Sequence, residues 1–347
     1  MRFVNGMRPR LHLQFPAAST LIRTCTALAF AATIAFCAVP AAAQVSWRMT
    51  TEYPQDNVSG IGLVTFSKLV SERTSGFVTT SNAFDNELKI ASGDMPRATR
   101  EGRIAGGDAF AGGLSALDPV FGLSTLPFVV QSIETARAVN VRARPLYEKA
   151  LASRGLKLLY FTIWPATGLW SDRAIESPDD LSRLTMRSYD AASTAVMRAV
   201  GASAEVLPMD ATLAGLREGR LNAVLTSGDG GTGRKLWDFL PYFAAINYAM
   251  PVSVAFVREE AFAALSEDMQ ANVLAAARDT EQSQFDLLAH RTADNYARMR
   301  QNGVRITEPA PTSVLARLRQ AAASPIAAWK ARVGGEAAEI AEWAIGQ

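Results

Sequence analysis

Residues 179–202 read DDLSRLTMRSYDAASTAVMRAVGA, and the fold turns on how that stretch is parsed. Leu181 to Met186 has the character of an approach to a strand and its first residues. Arg187, Ser188, Tyr189 and Asp190 follow at once. Asp190 is an N-cap type, Ala191 to Val200 is helical in pattern, and Gly201 stands at the position that closes a helix. A guanidinium is therefore placed at the carboxyl end of a strand, next to a helix N-terminus. Its planar fork matches a carboxylate, and the helix dipole adds to the attraction. A salt bridge to a neighbouring acid is the other use such an arginine can have.

Outward from this point, the pattern alternates strand and helix on both sides. VSWRMTT, FVTTSNAF and LKLLYFTIW read as strands, the last apolar enough to be buried on both faces. SGIGLVTFSKLVSERTSG between the first two is an amphipathic helix. After Trp164 the rhythm restarts with the strand at Arg187, the helix after Asp190, SAEVLP, a short helix capped by Asp210 and closed by Gly219, LNAVLTS, and later VSVAFV. This predicts an α/β protein with largely parallel sheets in two lobes. Residues 266–302 contain neither Gly nor Pro, begin at a Ser N-cap type and end before Gly303. Leu274, Ala277, Phe285, Leu288, Tyr296 and Met299 recur on an 11-residue period, which keeps one stripe on a nearly straight helix. Such a helix is longer than a small domain and is expected to cross both lobes, with two helices broken near Asp279 as the alternative.

Composition narrows the function. The chain has 347 residues and 49% hydrophobic content, enough for two lobes with a sizeable core. Residues 1–43 carry four arginines and no acid, then the apolar run TALAFAATIAFCAV and Ala41-Ala42-Ala43, the features of a cleavable secretory signal. Its removal lowers 35 basic residues to 31 against 33 acidic ones, so a net charge of +2 becomes −2. No basic excess remains to point to nucleic acid. Both cysteines, Cys25 and Cys37, lie in that segment, and only His290 of the two histidines lies outside it. No cysteine metal site, disulfide or cofactor is expected. The loop GDGGTG, 228–233, has the glycine spacing of a dinucleotide site, but no acid stands about 20 residues on, and Arg234-Lys235 lead into Leu236 where a P-loop needs Ser or Thr. It reads as a flexible turn on a cleft rim. No G-x-S-x-G, H-E-x-x-H or paired-carboxylate motif is present.

Residues 175–224, IESPDDLSRLTMRSYDAASTAVMRAVGASAEVLPMDATLAGLREGRLNAV, resemble the signature region of TRAP-transporter substrate-binding proteins of the DctP type. Asp180-Leu181, Arg187, Gly201-Ala202, Leu216 and Gly219 fall in the family's order. LSTLPFVVQSIETARAV and the long helix are similar to further family features. The resemblance implies a two-lobed, periplasmic-binding-protein-like receptor, not an enzyme. It closes on a small organic anion and delivers it to a TRAP membrane permease. The implied layout is a signal at 1–43, lobe I at 44–167 with a strand near 252–265 returning to it, and lobe II at 168–251. A spine helix at 266–302 and C-terminal helices at 303–347 packing on the lobes complete it. Arg187 matches the family's carboxylate-binding arginine. Trp170 stands where many members carry a second arginine, Thr226 where an Asn often contacts ligand, and Met209 where an aromatic is usual. Phe110, Tyr248 and Ser253 fall on pocket positions. One arginine among such residues implies a monocarboxylate with an apolar or aromatic body. A secreted α/β enzyme or a sensor domain acting on a small carboxylate is the alternative.

Overall fold

The computed structural model describes residues 44–347; the expected signal segment lies outside the described residues. Among these residues eleven strands form two sheets. The first takes β1 (Val45–Thr50), β2 (Val78–Ala83), β3 (Gly106–Phe110), β4 (Leu156–Ile163) and β10 (Val252–Arg258) in the order β2-β1-β3-β10-β4. The second takes β5 (Thr167–Ser171), β6 (Thr185–Ser188), β7 (Ser203–Val206), β8 (Ala223–Ser227), β9 (Tyr242–Ala244) and β11 (Arg305–Thr307) in the order β11-β9-β5-β8-β6-β7. Each sheet with its helices is one lobe. The sheets are mixed, not largely parallel as the alternation implied. β10 runs antiparallel to β3 and β4, and β5 antiparallel to β8 and β9. These are the strands by which the chain enters a sheet from the other lobe, so they arrive from the opposite end. No helix among the described residues is long and apolar enough to cross a membrane.

The long helix is continuous over Glu267–Gln301, 35 residues or about 52 Å, with Ser266 Oγ accepting from Met269 N at 3.3 Å. Its stripe is shared between the lobes. Val273, Ala276 and Ala277 enter a core cluster with Trp47 and Phe66 of the first lobe, and Tyr296 and Met299 enter one with Trp170 and Phe243 of the second. The C-terminal region does not begin with a helix: β11 adds an edge strand to the second sheet. The helix Thr312–Val333 then packs Val314 and Leu318 on the second lobe's core and Trp329 on the first's.

The glycine-rich stretch is a buried helix, Gly228–Gly233, capped by Ser227, and not a flexible turn. Its glycines serve close packing. A Cβ on Gly231 would lie 2.2 Å from the Trp170 ring, and one on Gly233 would lie 2.4 Å from Asn57 Oδ1. Asp229 of this helix is fully buried. Its carboxylate is ion-paired with Arg291 of the long helix and accepts from Asn57 Nδ2 at 2.9 Å, Val58 N at 3.1 Å and Asn295 Nδ2 at 3.2 Å. Val58 opens the first lobe's helix Val58–Arg73. Three elements thus meet on one carboxylate.

A second buried acid, Asp108 on β3, has no ion-pair partner among the described residues. The hydroxyls of Ser59, Ser253 and Thr162 face it, Thr162 Oγ1 at 3.4 Å, and its Oδ1 has no partner. Burial carries its pKa from 3.8 up to about 7, with those hydroxyls opposing.

Two outcomes follow for stability. Asp229→Ala leaves Arg291 and three donors facing a void and should cost about 3–5 kcal/mol in urea unfolding; a loss below about 1 kcal/mol would show the junction to be dispensable. For Asp108 the raised folded-state pKa means the stability is fully present below the unfolded value near 4 and is lost as pH rises through about 7. Asp108→Asn should therefore gain about 2 kcal/mol on wild type between pH 5 and pH 8 in paired thermal melts, and a pH-independent difference would refute the assignment.

Candidate functional site

Strand β6 ends at Ser188, and the chain turns into the helix Ala191–Ala199. Asp190 caps that helix, its Oδ1 accepting from Ser193 N at 2.7 Å. Arg187 is thereby set near the carboxyl end of an inner strand, between β7 and β8. Its Nε donates to Leu207 O at 3.0 Å and its Nη1 to Leu225 O at 3.1 Å, and its guanidinium carbon lies 5.9 Å from the centre of the Tyr189 ring. Both carbonyls hold the group in place without cancelling its charge. Arg187 forms no salt bridge among the described residues, so the alternative use as a structural ion pair does not apply. Burial pushes its pKa down, and the nearby Tyr53, Glu52, Tyr189 and Asp190 counter that. At the chemical extreme of an arginine the group stays charged.

The guanidinium opens onto a cavity of about 40 Å³ between the lobes. Tyr53, Phe110, Trp164 and Pro251 line it from the first-lobe side. Tyr189, Met209, Thr226, Ser227, Gly230 and Arg234 line it from the second, with Thr167 where the chain crosses. The cavity is small, which favours a compact occupant. The walls are aromatic: Tyr53 and Trp164 rings are 4.5 Å apart, and Phe110 meets Tyr189 edge-on at 5.6 Å. Tyr189 Oη is buried without a hydrogen-bond partner among the described residues. Arg234 differs from Arg187, because it is ion-paired with Asp85 and donates through Nη2 to Glu52 O at 2.9 Å. Among the described residues no three His, Cys, Asp or Glu converge to hold a metal ion.

Four of the expected residues, Arg187, Phe110, Met209 and Thr226, are brought together on this cavity. Three are not. Trp170 lies three residues along β5 from Thr167, about 10 Å at strand rise. There it is fully buried against Phe243, with its Nε1 donating to Ser227 O at 3.3 Å. Tyr248 is fully buried behind Tyr189, ring centres 6.3 Å apart. Ser253 is fully buried, and its Oγ accepts from Trp164 Nε1 and Ser59 Oγ, each at 2.9 Å. The latter two support lining residues from behind. Asp210 does not cap its helix, which begins at Met209; its carboxylate instead accepts from Asn86 Nδ2 at 3.1 Å. Tyr53, Trp164, Tyr189 and Arg234 were missed. The first three follow the carboxyl ends of β1, β4 and β6, the positions where open α/β sheets place ligands, and that rule could have found them.

Comparison with known proteins agrees with this architecture. A curated solute-binding protein of Chromohalobacter salexigens is 27% identical over 144 residues, 41% of this chain and 43% of that protein. The match thus spans less than half of that relative's length. A Bordetella pertussis extracytoplasmic solute receptor binding pyroglutamic acid superposes with a TM-score of 0.82 at 22% identity, covering 87% of this chain and all of the other. A marine metagenome TRAP solute-binding protein, in complex with co-purified pyroglutamate, superposes equally well at 23% identity over 88% of this chain and all of its own. The model of the bacterial extracellular solute-binding proteins, family 7 (DctP), matches residues 49–330. With most of its length under that match and the two-lobed fold in place, the chain belongs to the DctP family, whose members are solute receptors and not enzymes.

Proposed function

We propose that the protein is the periplasmic receptor of a TRAP transporter, exported by its N-terminal signal, which captures a compact organic monocarboxylate and delivers it to a membrane permease. The observation that carries this reading is Arg187: a guanidinium fixed by two carbonyls, facing an aromatic cavity, with no salt-bridge partner among the described residues. A ligand carboxylate supplies that balance and accepts from the nitrogens the carbonyls leave free. The second guanidinium on the cavity is already paired with Asp85, so the charge balance calls for one carboxylate and not two. Tyr189 Oη offers a further donor, and the flanking rings suit an apolar or ring-shaped body. Pyroglutamate, bound by two of the structural relatives, has one carboxyl on a small ring and is a natural first compound to try.

A thermal-shift screen over small carboxylates, followed by calorimetry, tests the reading. Arg187→Ala should cost the best binder about 2–5 kcal/mol, roughly 30- to several-thousand-fold in affinity. Arg187→Lys keeps the charge without the fork and should recover only part of it. Affinity within threefold of wild type in Arg187→Ala would overturn the assignment. A ligand-induced change in tryptophan emission should vanish in Trp164→Phe and persist in Trp170→Phe, because only the former ring lines the cavity. The reverse pattern would place the ligand elsewhere.

A further inference from the structure

Two adjacent side chains of the first lobe cross the cleft. Asp85 pairs with Arg234, and Asn86 Nδ2 donates to Asp210 Oδ2 at 3.1 Å. Asp85 and Asn86 both adopt left-handed backbone, φ 55° and 56°, a conformation that Asp and Asn tolerate better than most residues. Successive left-handed residues turn the loop sharply after β2. Asp85 N donates to Tyr53 O at 2.8 Å, which ties that loop to a residue lining the cavity. On the other side, Arg234 follows the packed helix Gly228–Gly233, and Asp210 lies in the first turn of the helix Met209–Arg217. Arg234 also reaches Glu52 O, so both its terminal nitrogens are committed to the first lobe. Its side chain is only 11% exposed although Asp85 is 59% exposed. A pair so placed gains more than an open surface pair, but its outer half is screened.

We propose that Asp85–Asn86 is a clasp of the first lobe that grips Arg234 and Asp210 of the second, and that Arg234 is a positioning residue which holds the lobes closed around the cavity without itself supplying the charge that binds the ligand. The idea rests on reading the cavity as the ligand site. It assigns the two cavity arginines separate tasks: Arg187 recognises the anion and Arg234 fastens the cleft over it. Breaking the clasp opens the cleft and leaves the recognition group intact.

Pulsed electron resonance on the full chain tests this, with Cys25→Ser and Cys37→Ser and with spin labels on Glu72→Cys and Arg220→Cys, exposed positions on opposite lobes. Distances are recorded with and without millimolar L-pyroglutamate. Wild type should show a short-distance population in at least one condition. Arg234→Gln and Asp85→Asn should each lower the ratio of short to long distances about three- to fivefold. The double variant should do no more than Arg234→Gln alone, because both remove one interaction. Asp85→Asn lies on an exposed loop and keeps the test open if Arg234→Gln folds poorly. An unchanged ratio in both variants, effects that multiply, or a wild type without a short-distance population would each overturn the clasp. Arg187→Ala separates the two claims. It should leave the ligand-free ratio as in wild type and abolish any response to pyroglutamate; a preserved response sinks the Arg187 reading and leaves the clasp standing.

Discussion

One buried carboxylate organises the molecule. Asp229 belongs to the second lobe's glycine-rich helix, pairs with Arg291 and accepts from Asn295 on the long helix, and accepts from Asn57 and Val58 at the start of a first-lobe helix. An unpaired charge at that depth costs several kcal/mol, so each donor has to be present and aimed. The consequence is positional. The chain crosses between lobes in short segments, and a junction held by four polar partners of one carboxylate fixes where the lobes meet. The glycines around Asp229 are part of the same constraint, since side chains there would strike Trp170 and Asn57.

From that junction the cavity is built outward. The carboxyl ends of strands in both sheets converge on it, so aromatic residues following β1, β4 and β6 meet across the cleft. A layer behind them holds them: Ser253 bonds to the Trp164 indole, and Tyr248 backs Tyr189. The two arginines facing the space sit in opposite electrostatic circumstances. Arg187 is held by neutral carbonyls and keeps its charge available, while Arg234 is neutralised across the cleft by Asp85. Two free guanidinium groups in one small cavity would repel each other and favour a doubly charged occupant, and the Asp85 pair removes that second free charge.

Much of this was legible in residue order. The Asp190 cap, the closing Gly201 and the position of Arg187 between them are local features, set within a few residues by backbone hydrogen bonding. The long helix was legible for the same reason: 35 residues without a breaker and an 11-residue apolar period admit few other structures. Phe110, Met209 and Thr226, which the family pattern placed in a pocket, line the cavity. Trp170 does not, because its indole is packed into the second lobe's core against Phe243. Its indole fills the space that Gly231 leaves, a pairing separated by 61 positions in the chain and invisible to local pattern.

The residues by themselves determined the α/β class, the crossing helix, the place of Arg187 at the end of a strand and the family, since each depends on periodicity, capping or a motif read over short spans. Only the tertiary structure decided which aromatics face the cavity, that the glycine-rich stretch is a packed helix, that the entering strands run antiparallel, and that Arg234 is spoken for by Asp85. These depend on contacts between segments far apart in sequence. A side chain's role there is set by what lies opposite it, and the chain specifies that only by folding.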